Sequence, residues 1–429
     1  IPGYKGIWFT LEQYSVYVDK YSGGLATDTA KHIPLAVYAA AVNKTFCVYG
    51  GTLDRTSRHL LAMISYYDHT TRLVPQPRVV HDKGGVNDPH DNPSISMDDH
   101  GHLWVFVSGR GRHRPGFIYR SQKPYDIDSF ELVQEREFAY PQPWWSAGKG
   151  FLWCFTKYTM GRELYCAASA DGLSWTEDKK LVQGGHYQVT NMQGNRLITA
   201  FDLHPHHTYV DGRTNLYVLL TTDMGQTWQT IAGRTVTTPL ADYDTTALVR
   251  DYCAEGRLVY LKDIVFDENG HPVILYITSN HFAPGPKGGF RFWETAAWTG
   301  AQWDFQRIAL ATHNYDMGSL YVEADGWKLI APTAAGPQWY GSGGEVEVWV
   351  CRDRKHWSRA RTVTQKSERN HGFVRRPVNA HPDFYAFWAD GDPHAMSISR
   401  LYFTNQQGDQ VWELPYDMTQ ELQHPLPVK

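Results

Sequence analysis

His90-Asp91-Asn92-Pro93 leads into Ser94-Ile95-Ser96-Met97, then Asp98-Asp99-His100-Gly101, Leu103-Trp104-Val105-Phe106-Val107, the basic run Arg110 to Arg114, and Gly116-Phe117-Ile118-Tyr119-Arg120-Ser121. Short apolar runs separated by Asp/Gly turn chemistry are the signature of consecutive antiparallel strands. One small sheet therefore carries a polar cluster at the head of its first strand and a basic cluster after its second. An Asp, an Asn, a neutral His and several Arg together suit an anionic, hydroxyl-rich ligand, because Arg clamps carboxylates and Asn or His reads hydroxyls.

The same grammar recurs outward in both directions. Upstream lie His32-Ile33-Pro34-Leu35-Ala36-Val37-Tyr38, Lys44 to Gly51 and His59 to Tyr67, a meander with a short turn at Ala41 to Asn43. Downstream, further meanders open at Tyr140, His186, Leu261, Asn314 and Arg375. Repetition at such intervals marks a propeller or solenoid and outranks any local reading. Counting meanders gives about seven units, within the roughly four to eight four-stranded blades of known propellers. The expectation is one all-β domain over residues 1–429, a seven-bladed β-propeller of four-stranded antiparallel blades. Residues 3–18 read as a strand that closes the fold against the C-terminus, and residues 235–255 as a surface loop inserted before the Leu261 unit.

A second periodic mark supports the repeat. Thr221-Thr222-Asp223-Met224-Gly225-Gln226-Thr227-Trp228 has a Ser/Thr, an Asp, a Gly and a Trp at Asp-box spacing, and degenerate copies fall at Ser169 to Trp175 and Asp353 to Trp357. The Asp bonds turn amides, the Gly supplies positive φ and the Trp wedges between sheets. The motif is structural and carries no catalytic information.

Composition excludes several classes. A net charge of −4 and the lack of a basic tail argue against a nucleic-acid surface. No apolar run approaches the roughly 20 residues of a membrane span. The 16 Trp and 26 Tyr suit both sheet packing and sugar-stacking platforms. Five dispersed cysteines, Cys47, Cys154, Cys166, Cys253 and Cys351, read as buried thiols, without disulfide or metal-ligand spacing. The His204-Pro205-His206-His207 cluster reads as a solvated turn, so no metal or cofactor is expected. Ile1 is followed by neither a charged nor an apolar leader segment, which fits a cytoplasmic protein or one whose signal peptide has been removed. A polysaccharide-active protein favours the second, periplasmic or secreted, state.

In a propeller the innermost strands surround a central channel, so the residues at their heads converge from distant sequence positions. The heads here are polar: His32, His90-Asp91-Asn92, His186-Tyr187-Gln188, Asn314-Tyr315-Asp316 and Arg375-Arg376, followed by His381. Arg110 and Arg213 begin further polar stretches beside strands. Burying such groups without partners costs about 1–3 kcal/mol each, and a polar channel mouth resolves the cost. Each group also has a structural reading: His32 bonding a loop carbonyl, His90 capping a turn, Tyr187 filling core, Asp316 holding an inter-blade amide. Arg375 and Arg376 are expected to point to opposite sides, as adjacent strand residues do.

The strings His90-Asp91-Asn92-Pro93, His186-Tyr187-Gln188, Asn314 to Leu320 and Arg375 to Pro382 resemble a family of BNR-repeat seven-bladed propellers. That family includes uronate-directed polysaccharide lyases and exo-acting enzymes that remove L-rhamnose from α-1,4-linked glucuronic acid in arabinogalactans. The resemblance runs from Gly6 to Trp412. It implies a lyase-like His at His90, a Tyr at Tyr187, a second His position occupied here by Arg110 (with His113 close by), and an Arg position occupied by Leu203 beside His204.

Those departures weaken an elimination reading. A lyase neutralises the uronate carboxylate, takes the C5 proton and protonates the leaving oxygen, and Arg110 clamps charge but is a poor base. The hydrolase branch is therefore the leading expectation: release of α-L-rhamnose from glucuronate in an acidic plant-type polysaccharide. Ordinary glycosidases use two carboxylates about 5–5.5 Å or about 6.5–9.5 Å apart, and no such pair announces itself. His-based hydrolysis assisted by the substrate's own carboxylate fits the His-rich heads. His32, His90 and Tyr187 are the catalytic candidates. Asp91, Asn92, Arg110, His186, Arg213, Asp316, Arg375, Arg376 and His381 are the binding candidates. The resemblance also permits a hydrolase site on the face opposite the lyase-like one. A lyase and a non-catalytic acidic-glycan binder are the competing classes.

Overall fold

A computed structural model describes residues 1–10, 22–23, 31–205, 208 and 211–428. Seven antiparallel sheets follow one another along the chain, each with its first strand innermost: blade 1 (36–82), blade 2 (93–136), blade 3 (139–182), blade 4 (185–250), blade 5 (258–310), blade 6 (319–362) and blade 7 (370–428). The described residues contain no α-helix, only short 3₁₀ turns at Pro89–Asp91 and Pro286–Gly288. The seven-bladed all-β expectation holds.

The aromatic richness goes chiefly between the blades. Trp104 and Phe106 of blade 2 pack on Phe151 and Trp153 of blade 3, and Leu152 and Cys154 of blade 3 share a cluster with Leu197 and Leu219 of blade 4. Strands buried on both faces read as nearly continuous apolar runs. The Asp-boxes form tight turns between the third and fourth strands of blades 3, 4 and 6. In blade 4 Thr221 Oγ1 donates to Asp223 at 2.8 Å and accepts the Gly225 amide at 3.1 Å, while Asp223 accepts the Thr227 amide. Gly172 has φ +76°, and a Cβ there would lie 2.4 Å from Trp104, so both backbone and packing demand glycine.

Ring closure uses several short ties. Gly6 bridges Gly51 of blade 1 and Ser399 of blade 7, Val378 bridges Val37, and Leu422–Gln423 pair with Val74–Pro75. The expected N-terminal strand is thus reduced to Phe9–Thr10 paired with Ser22–Gly23 plus the Gly6 bridges, and its remainder from residue 11 lies outside the described residues. The 235–255 insertion belongs to blade 4 rather than to the Leu261 unit. Its Leu248–Arg250 pairs with the third strand of blade 4, so it pads that blade's edge. Four cysteines are buried, whereas Cys253, in this padding, is exposed.

Trp228 is 1% exposed and joins the cluster shared by blades 3 and 4. Trp228→Ala is expected to lower stability by about 3–5 kcal/mol, measured by denaturant unfolding.

Candidate functional site

The heads of the inner strands of blades 2 to 4 form one cluster. The Pro89–Asp91 turn is capped by Asp88, whose carboxylate accepts the His90 amide at 3.0 Å and also bonds the His90 ring. Asp88 further pairs with Arg110 at 2.9 Å and Arg114 at 2.5 Å, while Asp91 pairs with Lys83 and Arg114, each at 2.9 Å. Asn92 is fully buried and donates to the Pro89 carbonyl at 3.1 Å. Asp91 and Asn92 therefore brace the turn that presents His90. Although burial opposes it, the charge and hydrogen bonds of His90 hold the Asp88 carboxyl far below the usual range. Burial in turn lowers the His90 pKa, against the pull of Asp88.

A ladder of rings runs across blades 2 to 4. Centroids are 5.8 Å apart for His90 and Tyr140, 5.4 Å for Tyr140 and Tyr187, 4.1 Å for Tyr187 and His186, and 4.4 Å for His186 and His204. The Tyr140 and Tyr158 hydroxyls are 2.8 Å apart. Arg213 lies over the Tyr187 ring at 4.4 Å and donates to the Tyr315 hydroxyl at 2.9 Å. The Tyr187 hydroxyl is buried with no hydrogen-bond partner among the described residues. Arg162, whose pKa rises despite burial because of Tyr187, Tyr140 and Tyr158, lines a hollow of about 270 Å³ with His186 and His204.

Beneath this ladder the groups turn inward. Asp202 accepts the Tyr187 amide at 3.0 Å, and burial pushes its carboxyl up to about 7. His32 is 0% exposed, its Nε2 lies 2.9 Å from the His90 carbonyl, and its Nδ1 has no partner among the described residues. It stands behind Tyr140 at 5.9 Å. The axis itself is filled: Lys31 bonds the Leu261 carbonyl, Lys262 the Asn314 carbonyl at 2.6 Å, and Arg375 the Lys262 carbonyl at 3.0 Å. Both lysine ammoniums touch Met317 Sδ, at 3.6 and 3.7 Å.

Beyond that plug, the tails of the inner strands enclose an axial cavity of about 790 Å³. Trp144 and Trp145 stand in its wall, Ile33 and Pro34 reach it from beside His32, and Arg375 and Arg376 border it. Arg376 donates to Asp263 at 3.0 Å and keeps 20% of its side chain exposed. Arg375 is buried and bonds the axial Lys262 carbonyl while Arg376 reaches Asp263, and both border the cavity where the strand Asn370–Arg375 ends. The two buried carboxylates of this cavity are committed, and a third, the exposed Asp99, accepts the Gly148 amide at 2.7 Å. Asp98 accepts the His100 and His102 amides and the Trp104 indole, all at 2.9 Å, and Asp263 accepts the Ile264 and Leu320 amides at 2.9 Å besides Arg376.

The candidates thus divide between places. His90, Asp91, Asn92, Arg110, His186, Tyr187 and Arg213 meet at the head face, with His32 behind them. Arg376 belongs to the opposite cavity, and Arg375 borders it from the plug. Asp316 touches neither: its carboxylate accepts the His313 amide at 2.8 Å and the Gly343 amide at 2.7 Å, and burial raises it to about 6. His381 lies at the seam of blades 1 and 7, its ring 3.8 Å from His69. His206 and His207 of the His-rich turn lie outside the described residues. Sequence reasoning passed over Asp88, although Asp before Pro is a turn-capping signature, and over Tyr140, Arg162, Asp202 and Trp144.

Residues 61–311 match the model of a family described as BNR repeat-containing family member. The chain belongs to this family. Its fold is similar to that of an ulvan lyase described as a new family of polysaccharide lyase, at 16% identity, with 94% of this chain and 96% of that one covered and a TM-score of 0.73. The ulvan lyase bound to a GlcA(1-4)Rha3S oligosaccharide gives 15% identity, 95% and 96% coverage and a TM-score of 0.74. The polysaccharide lyase Uly1 gives 11% identity, 97% and 100% coverage and a TM-score of 0.64. Among curated proteins no sequence matches significantly.

Burial lowers the His32 pKa from its usual 6.5 to about 3. Between those values the unfolded chain binds a proton that the folded chain refuses, so stability falls as pH drops from 6.5 toward 3. His32→Gln is expected to flatten this acid limb, read from unfolding free energies measured across that range.

Proposed function

We propose that this carbohydrate-active propeller is an exo-acting glycoside hydrolase that releases terminal α-L-rhamnose 1,4-linked to D-glucuronate in acidic, arabinogalactan-type polysaccharide outside the cytoplasm. The observation that carries the reading is the axial cavity: indole walls at Trp144 and Trp145, guanidinium groups at Arg375 and Arg376, and carboxylates at Asp98 and Asp263 already committed to the backbone, to Trp104 and to Arg376. Aromatic faces suit sugar rings and Arg suits a uronate carboxylate. With Asp98 and Asp263 spoken for, Asp99 is the one exposed carboxylate of the lining, which leaves the paired-carboxylate route without its second member. Hydrolysis then breaks the rhamnose C1–O4 bond: a water hydroxyl adds to C1, and the substrate's carboxylate or a neutral His takes the water's proton and passes one to the leaving O4. His32 has an unpartnered Nδ1 and adjoins the cavity-lining Ile33 and Pro34. It is the candidate base in this reading, fully buried directly behind that lining.

A second reading is favoured by the head-face ladder. The unpartnered Tyr187 hydroxyl, with Arg213 over its ring and Arg162 near it, is the kind of group that moves a proton during β-elimination, and the similar folds include ulvan lyases. Against it, Arg110 and Arg114 already answer the Asp88 charge.

Incubation with gum arabic separates the readings. The hydrolase gives free rhamnose and saturated glucuronate. Ultraviolet absorbance from a C4–C5 double bond conjugated to the carboxylate would mark the lyase, and binding with neither product a non-catalytic module. Arg376→Ala is expected to lower kcat/KM by roughly 10–100-fold on the native substrate, from loss of a charged hydrogen bond, and to change turnover of carboxyl-reduced substrate far less. Tyr187→Phe is expected to leave rhamnose release intact.

A further inference from the structure

The seam between blades 1 and 7 holds a group of side chains that neither carbohydrate reading uses. His69 follows the third strand of blade 1, Leu61–Asp68, and His381 and Asp383 form the turn after the inner strand of blade 7. One nitrogen of each imidazole and one oxygen of the carboxylate lie within 4.8 Å of one another. His69 is 9% exposed, and its Nε2 lies 2.8 Å from the Thr45 hydroxyl. Its Nδ1 is buried and has no partner among the described residues. With Nε2–H donating to the Thr45 hydroxyl, Nδ1 keeps a free lone pair, and a ring tied in this way is the arrangement of a metal-ligating histidine with its outer support. His381 Nδ1 accepts the Asp383 amide at 3.1 Å and lies 3.9 Å from Asp383 Oδ2.

We propose that His69, His381 and Asp383 bind a divalent transition-metal cation, Zn²⁺ being the best match, which fastens the closing seam of the propeller. Two imidazoles and one carboxylate are a borderline-soft donor set, and a water completes four-coordination. A hard cation such as Ca²⁺ asks for six or more oxygens, which this set does not supply. From their present spacing the donors draw in to the roughly 3.3 Å edge of a tetrahedron with bonds of about 2.0 Å. The movable partners are His381 and Asp383, with side chains 23% and 56% exposed, while Thr45 and the ring of Tyr38, 5.4 Å from His69, hold His69 in place. The cation would join residues more than 300 positions apart, across a seam that also carries isolated bridges, a two-residue pairing, the Arg78–Glu421 ion pair and the packing of Tyr67 on Phe384 and Phe403.

The test uses the full chain, stripped with a chelator and titrated with ZnCl₂ by calorimetry, with melting followed in parallel and CaCl₂ as the control cation. The expected result is one Zn²⁺ per chain, a higher Tm with Zn²⁺ and none with Ca²⁺. His381→Ala and Asp383→Asn, both at the surface, are expected to stay folded and to bind Zn²⁺ at least about 100-fold more weakly. His204→Ala is expected to bind as the parent does. A parent chain that takes up no Zn²⁺, a His381→Ala chain that binds it equally well, or a loss of binding in His204→Ala instead would each overturn the proposal. None of these outcomes depends on which polysaccharide reaction the enzyme performs.

Discussion

The axis of this propeller is closed by buried cations that hydrogen-bond to the backbone of the inner strands. Lys31 and Lys262 each donate to a main-chain carbonyl, Arg375 donates to the Lys262 carbonyl, and both ammoniums meet at Met317. Leaving such groups unpaired in the interior is expensive, and pairing them with carbonyls ties the inner strands of blades 5 and 7, the segment before blade 6 and the segment leading into blade 1 into one ring. Burial pulls the Lys31 pKa well below its usual value, with the charges of Lys262, Arg375 and Arg213 adding to the effect. The plug parts the molecule into a head face and an axial cavity.

The two sides differ in what they offer a sugar acid. The head face is a ladder of His and Tyr rings flanked by guanidinium groups, with its proton-carrying members buried and its anionic member, Asp88, already saturated. The cavity has room, aromatic walls and an Arg whose side chain is partly exposed. His32 is the one candidate that adjoins both, bonded to the His90 carbonyl on one side and next in sequence to the cavity lining on the other.

Fold was more legible in the sequence than site. Strand alternation, Asp/Gly turns and the Asp-boxes are local signals, and each Asp-box Trp lands where its spacing says, Trp228 between blades 3 and 4 and Trp175 against Phe151 and Trp153. The head cluster was partly legible because inner-strand heads must converge in any propeller. The rest depends on three-dimensional commitments that spacing does not reveal. Asp316 looks like a ligand group in sequence but is consumed by loop amides, and Asp91 by Lys83 and Arg114. Trp144, Trp145 and Arg376 meet only because strand tails from blades 3 and 7 converge, and the site reading had attended to strand heads. His381 left the site because its strand had already ended six residues earlier, carrying it to the seam.

The proposed hydrolysis requires the axial cavity, rather than the head ladder, to receive the uronate. A crystal structure with a bound rhamnosyl-α-1,4-glucuronate disaccharide measures this directly. The predicted result is electron density in the cavity, with the carboxylate within hydrogen-bond distance of Arg376 and a sugar face on Trp144 or Trp145. Density confined to the hollow beside Arg162, His186 and His204 would contradict it.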